Sequence, residues 1–262
     1  MVDEILVSIF ASQWRVIGLV SLILVCMAWL GSRLGHRDRS GGDESYRGHA
    51  ATVQAAVLAL LGLLLGFTFS MALERYDRRR SLVLQEANSI GTTFLRASFL
   101  PGSHKDVVED LLRRYVELRI PMYSFGTDAS ELSAIEQQSA AVHRELWSHA
   151  VAATAEAPSP IMATFVTSLN QTIDLDASRL QALRAHVPGA AWLLVLLVAS
   201  VGCYIGGYNA GTSGVRSTFA TMLLPILLAI VITLIADLDR PRRGLIGVSN
   251  QPLLDLRKSI QK

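Results

Sequence analysis

The chain has few charged residues for its length, and cysteine is almost absent. Asp, Glu, Lys and Arg make up 18% of the 262 residues, and the two cysteines, Cys26 and Cys203, both lie inside apolar runs. A thiol in such surroundings behaves as a small hydrophobic side chain, which excludes a disulfide framework and a cysteine metal site. The apolar share of 51% is too high for a disordered chain, and the low charge does not fit an ordinary soluble enzyme.

Motifs of catalysis and of nucleic-acid binding are also missing. The sequence has no Gly-x-Ser-x-Gly, no phosphate-cradling glycine loop and no His-Glu-x-x-His, so we expect neither enzymatic activity nor a cofactor. The net charge is only +2 and no basic stripe with interleaved aromatics occurs, which excludes nucleic acid as a partner. His143 and His149 are six positions apart and therefore on different faces of a helix, so this spacing predicts no metal site.

Uncharged runs long enough to cross a membrane are abundant instead. A bilayer core requires about 20 apolar residues in a helix. A signal peptide would need basic residues before the first run, whereas Asp3 and Glu4 precede it, so we expect a retained helix. The third run contains several glycines, which suggest that its helix ends near Gly206. We predict an all-α membrane protein with four transmembrane helices, at about residues 15–33, 50–73, 187–207 and 217–236.

Most of the charge lies between the second and third runs. Residues 74–186 show one-sided apolar stripes at helical spacing and no strand pattern, so they predict a helical bundle continuous with the second span. Arginines near the membrane are twice as numerous on the side of this insert and of both termini, including the segment 237–262, as on the other side. The positive-inside rule therefore places insert and termini in the cytoplasm. An extracellular insert, which would act as a ligand sensor, is the alternative.

The second span has two distinct faces. Its small residues gather on one face, as Ala55, Ala59, Gly62, Gly66 and Ser70, and its large apolar residues on another, as Leu60, Leu63, Leu64, Phe67 and Met71. In one interpretation the small face packs on a helix of the same subunit and the large face meets lipid. In the other, Leu60, Leu63 and Phe67 of several subunits surround a symmetry axis and form a hydrophobic constriction.

Charge clusters follow the second and fourth spans at the same depth. They contain Arg75, Tyr76, Asp77 and Arg78 after the second span, and Asp237, Asp239 and Arg240 after the fourth. We predict ion pairs of Asp237 or Asp239 with Arg75 or Arg78, and a cytoplasmic vestibule whose remaining arginines concentrate anions. The alternative is that the arginines only anchor the spans against anionic lipid.

These features resemble the bestrophins and, more closely, the bestrophin-like group of bacterial membrane proteins. The likeness extends over most of the chain from Leu58 onward. It is carried by Tyr76-Asp77-Arg78, by the acidic, Pro- and Gly-containing segment Asp237 to Gly244, and by the stretches Gly66 to Ser70, Glu86 to Thr92 and Gly244 to Leu253.

The resemblance implies a pentamer whose second spans line an axial, anion-selective pore in the bacterial inner membrane. By position, Leu63 and Phe67 would form the neck, with Leu60 as a further candidate. The sequence departs from the bestrophin pattern where Arg79 and Arg80 replace an aromatic pair and where Arg242 replaces a Phe. The acidic run that holds calcium in animal members is not evident, so the resemblance does not imply calcium gating.

The sequence therefore predicts a homo-oligomeric ion channel with membrane lipid and small inorganic anions as partners. Two other functions are open. A stator-type proton channel has a similar plan but would place polar residues in the pore, for which Thr221, Pro225 and Thr233 in the fourth span are the only candidates. A non-conducting sensor or scaffold would use the bundle to bind a partner.

Overall fold

The computed structural model describes residues 13–38, 44–123, 129–213, 218–240 and 246–261. Within these ranges every regular element is helical and no strand occurs, which confirms the predicted all-α class. The helices are α1 (Gln13–Arg37), α2 (Glu44–Ala97), α3 (Ser103–Arg119), α4 (Ala129–Glu156), α5 (Pro160–Arg184), α6 (Gly189–Thr212), α7 (Thr218–Asp239) and α8 (Gln251–Ile260), with a 3-10 turn at Pro121–Tyr123. The described residues form two compact units, 13–74 with 186–240 and 75–185 with 246–261.

Four helical stretches are long and apolar enough to cross a membrane, as the sequence predicted. They are Trp14–Arg37, Gly48–Ala97, Pro160–Thr212 and Thr221–Asp239, and the uncharged part of the third is α6. Their inner faces form the core of the first unit, in which the buried side chains include Leu24, Ala28, Leu61, Val195, Ala199, Ala229 and Ile232. The first unit is therefore the membrane unit.

Glycines bring α1 and α6 into direct backbone contact. A Cβ added to Gly31 or Gly35 would overlap the backbone of α6, and one added to Gly207 or Gly211 would overlap the backbone of α1. The sequence predicted that the third span ends near Gly206, but the helix continues to the end of α6. The glycines in this run let two helices approach closely, as small residues do in membranes, and do not terminate the helix.

The second unit is a helical bundle with a continuous apolar core. Its helices α3, α4 and α5 pack with the C-terminal part of α2, and the fully buried side chains include Ile90, Leu112, Tyr115, Leu146 and Phe165. The stripes read from the sequence supply these residues, because an apolar face at helical spacing is buried when helices assemble.

Local sequence explains where the helices of the bundle begin and end. α2 ends at Ala97, shortly before Pro101, which cannot continue a helix. Gly102, directly before α3, has φ 51°. This backbone conformation is unfavourable for residues that carry a Cβ and is readily adopted by glycine. The side chain of Ser159 accepts a hydrogen bond from the N–H of Met162 at 3.2 Å and so caps the start of α5.

The helix α8 was not predicted, although it belongs to the bundle. It buries Leu253 and Ile260 in the core, and the Arg113 guanidinium donates to the Ile260 carbonyl at 2.9 Å. A Leu256 methyl would lie 3.2 Å from a Cβ added at Gly91. The spacing of Leu253, Leu256 and Ile260 is helical, but three residues are too few to distinguish a short docked helix from a tail.

Candidate pore face and juxtamembrane charges

The three side chains predicted to form a neck lie on one uncovered face of α2. Leu60, Leu63 and Phe67 are 49%, 56% and 61% exposed in the chain. At 100° per residue they fall within about 60° of the helix circumference, and at 1.5 Å per residue they extend over roughly 10 Å of its length. The face that packs inside the membrane unit is a different one, formed by Leu61, Thr68 and Ala72.

The small-residue face of α2 is also uncovered. Among the residues that the structure describes, a Cβ added at Gly62 or Gly66 would meet no atom within 4 Å. The interpretation in which this face packs on another helix of the same subunit is therefore wrong. Two separate faces of the second span, one large and apolar and one small, are left available to partners outside the chain.

Of the residues in α2 that follow the predicted second span, some pack in the second unit and others are exposed on its surface. Tyr76 is partly buried against the core of the second unit, whereas Asp77 and Arg78 are exposed and Arg75 is half-buried. In the last turn of α7, Asp237 and Asp239 are buried at 4% and 2% exposure, and Arg240, directly after the helix, is half-buried. The predicted ion pairs would join residues that belong to different units, so they stay a prediction. Arg242 and Gly244, which bear on the family pattern, lie outside the described residues.

Asp239 connects the end of α7 to the start of α6. Both of its carboxylate oxygens accept the backbone N–H of Val187, at 3.0 and 3.1 Å, and its carbonyl oxygen accepts Nδ1 of His186 at 3.2 Å. A carboxylate at this position satisfies a free N–H and complements the positive end of the helix dipole. Asp239 thus couples the third and fourth spans within the membrane unit.

Arg79, which replaces an aromatic residue of the family pattern, is a buried cap. Its Nε donates to the Ala182 carbonyl at 3.0 Å and its Nη2 to the Ala185 carbonyl at 2.8 Å. These carbonyls end α5 and have no partner within that helix. A cation at a helix C-terminus is favourable. Arg80 is exposed, so the two adjacent arginines have different roles.

A buried cluster of charges occupies the interior of the bundle. The Arg119 Nε donates to Glu86 Oε1 at 2.7 Å, the Arg119 Nη1 lies 2.5 Å from Asp176 Oδ1, and the Arg179 Nη1 contacts Glu86 Oε2. The Tyr115 hydroxyl donates to Glu86 Oε1 at 3.2 Å. Glu86, Arg119 and Arg179 have no exposed side-chain surface. The cluster joins α2, α3 and α5. It also reaches α4, whose His143 lies against the Tyr115 ring and 3.8 Å from Asp176.

Burial shifts the titration of the groups in the cluster. It lowers the pKa of Arg179 to about 9, which leaves the guanidinium charged at neutral pH, and it raises the pKa of Tyr115. Burial also lowers the pKa of His143; the nearby Asp176 carboxylate opposes this shift and Arg119 adds to it. The Glu86 carboxylate therefore faces a charged guanidinium, which is how a protein tolerates a buried ion.

Sequence reasoning missed this cluster. Glu86 lies on the apolar stripe of α2 between Val83 and Ile90, and Arg119 follows the buried Tyr115 by one helical turn. A charge on an apolar stripe is a signal that it has a buried partner. The sequence does not show which helix supplies that partner. Glu86 does open one of the stretches that carry the family resemblance.

Comparison with solved structures shows proteins that share this fold. A crystal structure of a variant bacterial bestrophin homologue from Klebsiella pneumoniae is similar with a TM-score of 0.67 at 14% identity, covering 94% of each chain. A second structure of a bacterial bestrophin homologue from Klebsiella pneumoniae has a TM-score of 0.66 at 13% identity, over 93% of this chain and 95% of that one. A structure described as a membrane protein matches with a TM-score of 0.66 at 14% identity, over 94% and 96%.

The sequence itself matches a family over nearly its whole length. Comparison with proteins of curated function found no significant match. The model of the bestrophin-like domain matches residues 18–253. With four apolar helices and this match, the protein is a multi-pass helical membrane protein that belongs to the bestrophin-like family.

Proposed function

We propose that the protein is a homo-oligomeric ion channel in which the second spans of identical copies surround a central pore. The observation that carries this proposal is the uncovered face of Leu60, Leu63 and Phe67 on a helix whose opposite side is packed. A span in the wall of a ring needs one face for its own subunit, one for the axis and one for its neighbour, and α2 has three such faces. Membership of the bestrophin-like family supports the same arrangement.

The neck of this pore would be a hydrophobic constriction. Leu60, Leu63 and Phe67 would contribute three successive rings of apolar side chains over roughly 10 Å. So narrow an apolar segment readily loses its water. An ion that enters the dry segment would have to give up its hydration shell, and this cost blocks its passage. Small changes in the distance between copies of α2 would therefore open or close the conduit.

Anions are the proposed conducted ions, with chloride as the representative. Arg78 and Arg80 are exposed just beyond the second span, where a ring of copies would multiply their charge. A positive vestibule raises the local anion concentration. We propose a pentamer in the bacterial inner membrane, with insert and termini cytoplasmic, on the family resemblance and on the distribution of arginines.

A stator-type proton channel has less support. The hydroxyl of Thr233 is buried and donates to the Ala229 carbonyl of its own helix at 2.7 Å, so it does not line an open path. Pro225 is also buried. Two of the three candidate residues therefore belong to the packed interior of the membrane unit, and the third, Thr221, is half-buried.

Flux through liposomes tests the proposal. Purified protein is reconstituted into chloride-loaded vesicles and chloride efflux is recorded for the wild type, Leu63→Ala and Phe67→Ala. We expect the wild type to conduct, and each truncation to increase the efflux because it widens and wets the neck. Replacing external chloride by a large impermeant anion, with potassium and proton flux recorded in parallel, reports the ion class.

Leu197→Ala is the matched control, because Leu197 is 60% exposed but lies on α6 rather than on the proposed pore face. Its efflux should equal that of the wild type. Truncations of Leu63 and Phe67 that behave like this control would refute the neck. Absence of any flux from correctly assembled protein would refute the channel and favour the scaffold.

A further inference from the structure

Two histidines from different helices of the bundle meet side chain to side chain. The Nδ1 atoms of His104, in the first turn of α3, and His149, in α4, are 2.9 Å apart. The side chain of His104 is only 20% exposed, and its other nitrogen, Nε2, lies 3.5 Å from Glu156 Oε2. The spacing of His143 and His149 predicted no metal site, but His149 has its partner on the neighbouring helix.

The position of Glu156 favours one tautomer of each neutral ring. Glu156 favours a proton on Nε2 of His104, because a carboxylate can only accept. The Nδ1 of a neutral His104 is then a lone-pair acceptor, and the Nδ1 of His149 is the donor in the contact between the rings. In metal sites, a histidine that binds the metal through one nitrogen commonly donates the N–H of its other nitrogen to a carboxylate. Glu156 and His104 have this arrangement, with Nδ1 as the nitrogen available to a metal ion.

We propose that His104 and His149 form a binding site for a first-row divalent transition metal ion such as Zn²⁺. Two imidazole nitrogens bound tetrahedrally at about 2.0–2.1 Å from zinc are roughly 3.3–3.4 Å apart, so the Nδ1 atoms need to separate by only about 0.4 Å. The ion would lie beside the line that joins the two nitrogens, and both rings would turn so that each Nδ1 lone pair points at it. His149 changes tautomer, with its proton moving through solvent from Nδ1 to Nε2, so no proton is gained or lost overall.

Water would take the remaining coordination positions. In the part of the chain that the structure describes, no three His, Cys, Asp or Glu side chains converge on one point, and Glu156 faces the far nitrogen of His104. Imidazole ligands suit zinc, copper and nickel, whereas calcium and magnesium prefer carboxylate and carbonyl oxygens from the protein. A bound ion would cross-link the start of α3 to α4, independently of the proposed channel function.

Zinc titration of the purified full-length protein, with any affinity tag removed and adventitious metal stripped, tests the site. Competition with a chromogenic chelator gives stoichiometry and affinity, and thermal unfolding is recorded with and without zinc. We expect one Zn²⁺ per chain, bound less tightly than at a site with three or four protein ligands, and a rise in unfolding temperature. His104→Gln and His149→Gln should each weaken binding by more than about tenfold, and Glu156→Gln by about tenfold through the orientation of His104.

His49→Gln is the matched control, because His49 is an exposed histidine of the membrane unit. It should bind zinc like the wild type. Binding that is equally strong in His149→Gln, or that is lost in His49→Gln, would overturn the proposal. If a histidine variant fails to fold by circular dichroism, Glu156→Gln decides, because this exposed, conservative change alters zinc affinity only if His104 is a ligand.

Discussion

Removing the charge of Glu86 is the sharpest test of how the bundle is held together. Glu86 faces two guanidinium groups, those of Arg119 and Arg179, and all three side chains are fully buried. Glu86→Gln keeps the shape but removes the carboxylate charge that Arg179 Nη1 contacts, while Arg119 retains Asp176. Breaking a buried ion pair by removing one partner costs about 3–5 kcal/mol.

That cost is a large part of the stability of a domain, which is about 5–15 kcal/mol. For a unit of this size, each kcal/mol of lost unfolding free energy lowers the unfolding temperature by about 4 °C. Glu86→Gln should therefore lower the unfolding temperature by roughly 10–20 °C. Circular dichroism gives the transition, and hydrogen exchange identifies the unit in which protection is lost. Asp174→Asn is the control, since Asp174 is an exposed carboxylate of α5 and its change should cost less than about 0.5 kcal/mol.

A double-mutant cycle separates the ion pair from general damage. Because Glu86 and Arg179 neutralise one another, replacing both leaves no unpaired charge between them, and Glu86→Gln combined with Arg179→Met should cost less than the sum of the single changes. The difference should be about 0.5–3 kcal/mol. Strictly additive costs, or a Glu86→Gln protein that unfolds within about 2 °C of the wild type, would refute this account of the cluster.

Two further predictions concern other buried ionisable groups. Arg79→Met should lower the stability by about 2–3 kcal/mol because two carbonyls at the end of α5 lose a charged donor, whereas the exposed Arg80→Met should leave the unfolding temperature unchanged within error. Equal effects of the two changes would contradict the capping role. Burial lowers the pKa of His143, so the unfolded chain binds a proton that the native chain excludes, and stability should fall as the pH drops below about 6.5. His143→Gln should flatten that slope in unfolding measurements between pH 5 and 8, and an unchanged slope would contradict the assignment.

The fold was largely predictable because its main signals are local. An uncharged run of 20 residues has few alternatives to a membrane span, and a one-sided stripe identifies a helix without reference to its partner. α8 was missed because its ten residues provide only a short stripe. Its helical order depends on docking to the bundle through Leu253 and Ile260, and short helices are marginal by themselves.

The candidate site was predictable only in part. The periodicity of α2 places Leu60, Leu63 and Phe67 on one face, and the structure has them there. The partners of Glu86 and Arg79 come from helices far away in sequence, and no periodicity within one helix can identify them. Long-range pairing of this kind depends on packing between segments, which the sequence does not display.

Two pairs of glycines show that the same local sequence pattern can have different structural roles, depending on which helix lies against it. Gly62 and Gly66 have the same four-residue spacing as Gly207 and Gly211, yet the second pair touches the backbone of α1 and the first pair faces open space. A glycine inside a helix costs about 1 kcal/mol relative to alanine. The second pair offsets that cost by close packing within the chain. The first pair can do so only if another helix approaches α2 from outside, which is the place that the proposed ring assigns to the neighbouring copy.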